Sequence, residues 1–486
     1  MGAPQVASPG AHARHDGYPV AVAKPSRRLA VVVMAAGKGK RLRSALPKVL
    51  HPVAGKPVLW HVLEAARRLR PWRLIVVVSH GRDQVEEDVR SWGFEATFVD
   101  QGTPLGTGHA VMVAEDAVGR AHDVLVLPGD NPLVTTDMLR ALMRLHRRRL
   151  PAATVQTTRL DDAEGYGRVV REGDRFVRIA EERDASTEER RIHEVATSLY
   201  AFRREDLFQA LPLVGRENVQ REHYLPDVLG ILADKGEEVR AIEADFEGGL
   251  DVNSRAALAR ASGVMRRRIN EELMSSGVTM IDPDRTYVDA GVKVGTDTTL
   301  LPGVHLEGDT RVGSGCTIGP DSRIVDSRLD DGVEVSYSVV RGARVGEGST
   351  IGPYAHIRPG TLLGRDTKAG SFVEIKASRI GDGSKVPHLA YVGDATIGVG
   401  VNVGAGTITC NFDGYEKHRT LIGDGAFIGS DTMLVAPVRI GRNAVTGAGS
   451  TITRDVADGE LAVERSEQRN VRGYAERRGG RRRGRT

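Results

Sequence analysis

Two different periods run along this chain. From about residue 288 an aliphatic residue returns at a fixed interval of six: Val288, Val294, Leu300, Leu306, Val312, Ile318 and Ile324 hold that phase without a miss. It resumes at Val345, Ile351, Ile357 and Leu363, and again at Ile422, Ile428, Leu434 and Ile440, with Gly directly after many of these positions. An α-helix needs a period of about 3.6 and a half-buried strand a period of about 2, so neither makes this pattern. A hexapeptide period predicts a parallel β-helix, whose coils have short sides with one inward aliphatic residue each and glycine or small polar residues at the corners.

The first half alternates strand-like apolar runs with helical spacing. Leu29–Met34, Leu74–Val78 and Val124–Leu127 read as buried strands, and Val58–Leu69 as a helix between two of them. Strand, helix, strand in this order predicts a parallel sheet wrapped by helices, of the Rossmann-like α/β class. Ligands bind at the carboxyl ends of such strands. Two turns fall there, one glycine-rich after Met34 and one at Pro128-Gly129-Asp130. Between the halves, Arg255–Met274 reads as one helix stopped by Gly277, either a connecting arm or an amphipathic core helix.

Length and composition add limits. A chain of 486 residues exceeds what one core usually serves, so at least two domains are expected. The divisions expected are an extension over 1–28, an α/β domain over 29–254, a linker helix over 255–276, a β-helix over 277–470 and a basic tail over 471–486. No apolar run reaches the roughly 18 residues of a membrane span, and the first 28 residues have no apolar signal-peptide core. They are expected to be a disordered extension. Two cysteines, Cys316 and Cys410, exclude a disulfide framework, and zinc-ligand spacing is absent. The net charge of +4 is modest, and much of the excess sits in an Arg/Gly-rich tail, Arg477–Arg485, expected to be disordered. No folded nucleic-acid module accompanies that tail, so nucleic-acid binding is not expected.

Candidate chemistry lies in both halves. The segment from Met34 through Ala35, Ala36, Gly37, Lys38, Gly39 and Lys40 to Arg41 leaves a strand and runs on to Pro47-Lys48. Glycines let backbone N–H groups approach phosphate oxygens, and a helix start adds partial positive charge. Arg41 and Lys48 add fixed charge, which suits transfer at the α-phosphate of a nucleoside triphosphate. The spacing is not that of a Walker A loop. Taken alone, Gly-Lys-Gly is an ordinary turn, and Asp130 before Asn131-Pro132 is a turn carboxylate. In the second half, polar residues crowd the repeat at Arg358, Phe372–Lys376, Pro387–Tyr391 and Asn402–Asp413. Such crowding in an otherwise aliphatic repeat suggests a ligand site, where transfer of a group to a nucleophile would need a base for its proton and donors for the oxygen that gains charge. His388 is the candidate base, with Glu374 as the carboxylate that orients it.

The run Ala35-Ala36-Gly37-Lys38-Gly39-x-Arg41, followed by Lys48-Val49-Leu50, resembles the signature of sugar-phosphate nucleotidyltransferases. Together with Gln101, Leu105–Ala110, Gly129-Asp130, Gly165–Arg168 and the hexapeptide half, the chain resembles one family over about residues 29–470. That family is the bifunctional N-acetylglucosamine-1-phosphate uridyltransferases/glucosamine-1-phosphate acetyltransferases, cytoplasmic enzymes of cell-wall precursor synthesis. The resemblance implies a left-handed β-helix and a homotrimer with acetyl sites between subunits. It implies that Met34, Ala35, Ala36, Gly37, Lys48, Gln101, Gly106, Thr107, Gly129, Asp130, Gly167, Glu181 and Asn253 bind the uridine nucleotide and its sugar. Asp130 and Asn253 would hold Mg2+, an oxygen-only site suited to an ion that keeps its waters. His388 matches the proton acceptor. Arg358, Lys376, Tyr391, Asn402 and Asn411 match the sugar-phosphate site, and Ala405, Asn411, Phe412, Ser430, Ala448 and Arg465 match the acetyl-CoA site.

Four positions depart from the family's pattern. Lys40 stands where Thr is usual, Pro128 where Tyr or Ser is common, and Phe412 in place of Tyr. Ala196 replaces an Asn that contacts substrate, which removes a hydrogen bond worth ~1 kcal/mol. Two other classes remain open on sequence alone: a monofunctional nucleotidyltransferase whose β-helix only assembles subunits, and a non-catalytic assembly protein.

Overall fold

The computed structural model describes residues 2, 27–244 and 251–483, which form a sheet-centred body and a coil stack joined by one helix. Across the sheet the strands lie in the order Val239–Glu243, Ala153–Arg159, Glu194–Arg203, Asp123–Pro128, Leu29–Met34, Arg73–Val78, Thr97–Asp100. The three runs expected as buried strands pair in parallel with Leu29–Met34 in the middle. Alternate side chains feed two cores: Val32, Ile75, Val77 and Val126 enter one, and Val31, Val33, Val76 and Leu127 the other. Burial on both faces is why these strands read as unbroken apolar runs. Glu194–Arg203 departs from the all-parallel expectation and runs antiparallel to both neighbours. The chain reaches it from the hairpin of Arg168–Glu172 and Arg175–Ala180, without the crossover helix that a parallel strand requires.

From Leu29–Met34 the chain winds outward through Arg73–Val78 and Thr97–Asp100, then returns to place Asp123–Pro128 on the other side of the first strand. This reversal is the topological switch point, where a crevice opens at the carboxyl ends of the strands. Met34 pairs with Pro128 at that edge, so the glycine-rich segment and Gly129-Asp130 leave the sheet side by side. At the opposite edge, Arg27 Nη2 donates to the fully buried Asp123 at 2.7 Å, and the Arg28 N–H donates to His122 Nδ1 at 3.0 Å. These two residues, expected within the extension, are docked on the sheet. Residues 1 and 3–26 of that extension lie outside the described residues.

The connecting helix spans Arg255–Ser275, and the Ser254 hydroxyl accepts from the Ala257 N–H at its start. It ends before Gly277, whose φ of 98° suits a residue without a Cβ. Both readings of this helix hold in part. Its first half buries Ala261 and Val264 against Val53, Val58 and Leu133 of the sheet body, while Ile269 and Leu273 pack on the first coils. Asn270 Nδ2 donates to the carbonyls of Pro283 and Thr286, at 2.8 and 3.0 Å, and staples the helix to the stack.

The second body is a three-sided parallel β-helix whose walls are sheets of 11, 10 and 9 short strands, each strand pairing with the one three strands later except at the last coil, where Val445–Thr446 pairs with Leu461–Ala462. The six-residue aliphatic positions point inward and form one continuous core. Where the phase breaks, the coil continues with corners one residue shorter. Ile324 is followed by Leu329, Val335 by Val340, and Ile375 by Ile380, each on an adjoining wall. Left-handed residues at those corners, Asp326, Tyr337 and Ala377, make the tighter turn. Between Thr409 and Ile422 an inserted loop leaves the stack, closed by a bridge between Phe412 and Lys417. After the last coil, Tyr474–Arg483 is helical, where disorder was expected, and residues 484–486 of that tail lie outside the described residues. Ala, Glu and Arg in that stretch are good helix formers, which a reading by charge alone overlooks.

Candidate functional site

The first site is a cleft of about 630 Å³ at the switch point. Met34, Ala36, Gly37, Lys48, Gln101, Gly106, Thr107 and Asp130 line it, which brings together eight of the residues expected to bind nucleotide. The glycines are needed for different reasons. A Cβ on Gly129 would stand 2.7 Å from the Met34 carbonyl oxygen, because the Gly129 N–H donates to that oxygen at 2.9 Å. Nothing lies within 4 Å of a Cβ built on Gly37, so there the backbone faces open space. The Ala35 N–H is occupied by the Val77 carbonyl at 2.8 Å, so Ala35 shapes the loop from behind. Gln101 Nε2 donates to the Gly106 carbonyl at 2.9 Å, and the Thr107 hydroxyl accepts from the Leu225 N–H at 3.0 Å. These bonds fix the second wall.

Charge is concentrated at one end of the cleft. Lys48 Nζ is ion-paired to Asp130 Oδ2 and donates to Asn253 Oδ1 at 2.5 Å. A carboxylate oxygen and an amide oxygen thus converge on one cation, a hard-oxygen pair of the kind Mg2+ takes. Among the described residues no three His, Cys, Asp or Glu side chains group as a metal site. Arg41 is exposed and does not line the cleft. The Lys40 side chain lies outside the described residues. Glu181 lies beside Gly167, whose Cβ would stand 3.6 Å from Glu181 Oε1. Burial, with Asp227 and Asp184 nearby, pushes the Glu181 carboxyl up to about 7. Ala196 is buried, and its N–H donates to the Gly167 carbonyl at 3.0 Å. Asp251, Ser198 and Glu222 also line the cleft, and the sequence reading missed all three. Burial and the neighbouring Asp130 push the Asp251 carboxyl up to about 7.

The second site lies on the coil stack. Wall pairing sets Lys385 beside Asn402, Asn402 beside Phe427 and Phe427 beside Val445. Three residues further along each strand, the same register stacks His388, Ala405, Ser430 and Ala448 on one corner. Backbone bonds continue that column: Asp431 N–H to Ala405 O at 2.6 Å, and Gly449 N–H to Ser430 O at 2.8 Å. Arg465 Nη1 donates to the Ala448 carbonyl at 2.7 Å and closes the far end. At about 4.8 Å per coil the column runs roughly 14 Å, long enough for an extended thiol arm.

On the adjacent wall Glu374 stacks on Tyr391, and Arg358 and Lys376 project from successive coils. Like charges on neighbouring strands are unfavourable unless neutralised. Lys376 Nζ donates to Asp394 Oδ2 at 3.2 Å, and Asn411 Nδ2 donates to the same oxygen at 2.6 Å. A Cβ on Gly393 would stand 2.5 Å from the Tyr391 hydroxyl and 2.7 Å from Asn411 Nδ2, so only glycine lets these two meet. Lys417, from the inserted loop, joins the cluster, and its contact with the Lys376 ammonium pushes its pKa down. Neither Asp394 nor Lys417 was singled out from sequence. One assignment needs correction: Glu374 Oε1 accepts from Arg358 Nη1 at 2.6 Å, and among the described residues no bond joins Glu374 to His388. A guanidinium one coil away holds a carboxylate more strongly than an imidazole at the corner. Phe412 is exposed at the base of the loop.

A switch-point cleft built for phosphates, followed by a hexapeptide coil with a basic pocket, makes this a nucleotidyltransferase joined to a hexapeptide acyltransferase. Residues 31–213 match the MobA-like NTP transferase domain, and residues 419–454 match the bacterial transferase hexapeptide repeat. The bifunctional protein GlmU of Caldanaerobacter subterraneus is 49% identical over 93% of this chain and 98% of that protein. The GlmU of Carboxydothermus hydrogenoformans is 47% identical over 91% of this chain and 99% of that protein. A solved UDP-glucose pyrophosphorylase holding UDP-glucose aligns with a TM-score of 0.42 and 18% identity, over 50% of this chain and 99% of that one. The chain belongs to the bifunctional GlmU family.

Proposed function

We infer that this chain makes UDP-N-acetylglucosamine in two separate steps, a product used in cell-wall polymer synthesis. The observation that carries the reading is the presence, on one chain, of a phosphate-sized cleft at a sheet switch point and of a corner column headed by a histidine. In the coil site the amine of glucosamine-1-phosphate attacks the thioester carbon of acetyl-CoA. The C–N bond forms, the C–S bond breaks, and His388 takes the amine proton and passes it to the departing sulfur, so that CoA leaves as its thiol. Arg358, Lys376 and Lys417 hold the sugar phosphate by charge-assisted bonds. Tyr391, Asn402 and Asn411 orient the sugar, and Ala405, Ser430, Ala448 and Arg465 line the CoA arm. In the cleft a phosphate oxygen of N-acetylglucosamine-1-phosphate attacks the α-phosphorus of UTP, and pyrophosphate leaves. The glycine-rich loop and Lys48 hold the phosphates, while Gln101, Gly106 and Thr107 hold the nucleotide. Gly167 and Glu181 flank the sugar. Asp130 and Asn253 would hold Mg2+, which when bound neutralises charge on the triphosphate.

The domain limits follow the same reading: a uridylyl domain over 29–254, a linker helix and an acetyl-transfer coil over 277–470. The assembly is a homotrimer in the cytoplasm. Two features support the trimer. Tyr354, Phe372 and Leu389 form an exposed apolar column on the corner that carries His388. Among the described residues no carboxylate is bonded to His388, which leaves room at that corner for a group from a neighbouring subunit. No helix among the described residues is long and apolar enough to cross a membrane. A coupled assay with acetyl-CoA, UTP, Mg2+ and glucosamine-1-phosphate should yield CoA, pyrophosphate and UDP-N-acetylglucosamine. Release of CoA without pyrophosphate would leave the chain an acetyltransferase only.

A further inference from the structure

Asp251 has no part in the steps above, yet it lines the nucleotide cleft with Asp130. The Val252 N–H donates to the Asp130 carbonyl at 2.9 Å and pins the segment 251–253 along Asp130. The Asn253 N–H closes a tight turn onto the Asp251 carbonyl at 2.8 Å. The side chains on either side of this anchor are Asp251 and Asn253. Asn253 Oδ1 and Asp130 Oδ2 both meet the Lys48 ammonium, so the place between these oxygens already attracts positive charge. The Asp251 carboxylate makes no hydrogen bond among the described residues, and Asp130 and Lys48 are the charged groups that act on it most strongly.

Charge balance gives this arrangement its meaning. Asp130 and Lys48 cancel, and a neutral pair has little hold on a free divalent ion. Asp251 adds a second carboxylate to the same end of the cleft, with the exposed Arg41 as the next cation outward. With Asp251 ionised, the three hard oxygens carry two negative charges, which favours a doubly charged ion over an ammonium, and water and phosphate can complete its six positions. We propose that Asp251 is a third oxygen donor to the divalent cation of this site, so that the chain holds the ion before nucleotide arrives. The ion then takes the two oxygens that Lys48 occupies and frees that ammonium for the triphosphate. This rests on the reading of Asp130 and Asn253 as ligands of the ion.

Mn2+ titrated into the full-length chain without nucleotide, followed by the EPR signal of the free ion, tests the proposal. Wild type, D251N and D130N are compared, each first checked for native circular dichroism. Wild type should bind Mn2+, D251N should bind about 10-fold more weakly or worse, and D130N should lose the site. Wild-type affinity in D251N, with binding lost in D130N, overturns the role of Asp251 and leaves the ligand reading intact. Binding unchanged in D130N overturns that reading itself. A wild-type chain that holds no Mn2+ without nucleotide also overturns the proposal.

Discussion

Glu181 carries a carboxyl whose proton affinity differs between the folded and unfolded chain. Its folded value is about 7, raised from 4.5 by burial and then by Asp227 and Asp184. The folded state therefore binds the proton more tightly, and the stabilisation is complete below about pH 4.5 and lost as pH rises through 7. Glu181→Gln should remove that slope and leave the variant more stable than wild type at pH 8, by roughly 3 kcal/mol. Denaturant melts at pH 4.5 and 8 check this, and parallel slopes for both proteins would show that Glu181 titrates normally. On the coil, His388 heads the corner column proposed to hold the CoA arm. His388→Ala should slow CoA release with glucosamine-1-phosphate by roughly a hundred- to ten-thousand-fold. Pyrophosphate release from UTP and N-acetylglucosamine-1-phosphate should stay at the wild-type rate. Loss of both activities in a folded variant would break the two-site account.

At the scale of elements, strand ends and corners do the positioning. The Gly129 N–H bond to Met34 couples the carboxyl ends of two strands, and a methyl group has no room there. Gly129→Ala should part them, cost the sheet body about 1–3 kcal/mol and depress uridylyl transfer, while acetyl transfer persists. Unfolding midpoints and the two separate assays read these effects. The hexapeptide period was legible because each side of a coil needs one inward aliphatic residue whatever its neighbours are. Its lapse after Ile324 was not, because Asp326, Tyr337 and Ala377 shorten their corners by one residue and shift every later position. The nucleotide loop was legible because glycine and lysine cluster on it. Asp251 was not, since a single acid two residues before Asn253 has no pattern of its own. Lys417 lies in the one long gap of the repeat, a signal of an inserted functional loop that can be recovered. The pairing of Glu374 with Arg358 depends on which side chains fall one coil apart, and that follows only once the shortened corners are counted.

For the whole molecule, the exposed column of Tyr354, Phe372 and Leu389 calls for a partner surface. Exposed rings stacked at 5.2 Å, as Tyr354 and Phe372 are, are more apolar than a lone coil corner requires. Light scattering should give three times the 52.4 kDa of one chain. Phe372→Asp should shift the mass toward the monomer and lower acetyl transfer, while uridylyl transfer continues. A variant that keeps the trimer mass would place the contact elsewhere. The long connecting helix fixes how the sheet body meets the first coils, whatever the subunit arrangement.

From Val288 to Val392 the stack climbs six coils, through Leu306, Ile324, Val340, Ile357 and Ile375. At about 4.8 Å each that is roughly 30 Å between the first coil and the histidine-bearing one. The acetylated sugar phosphate must therefore escape into solvent before it meets UTP. Its concentration there is set by supply and dilution.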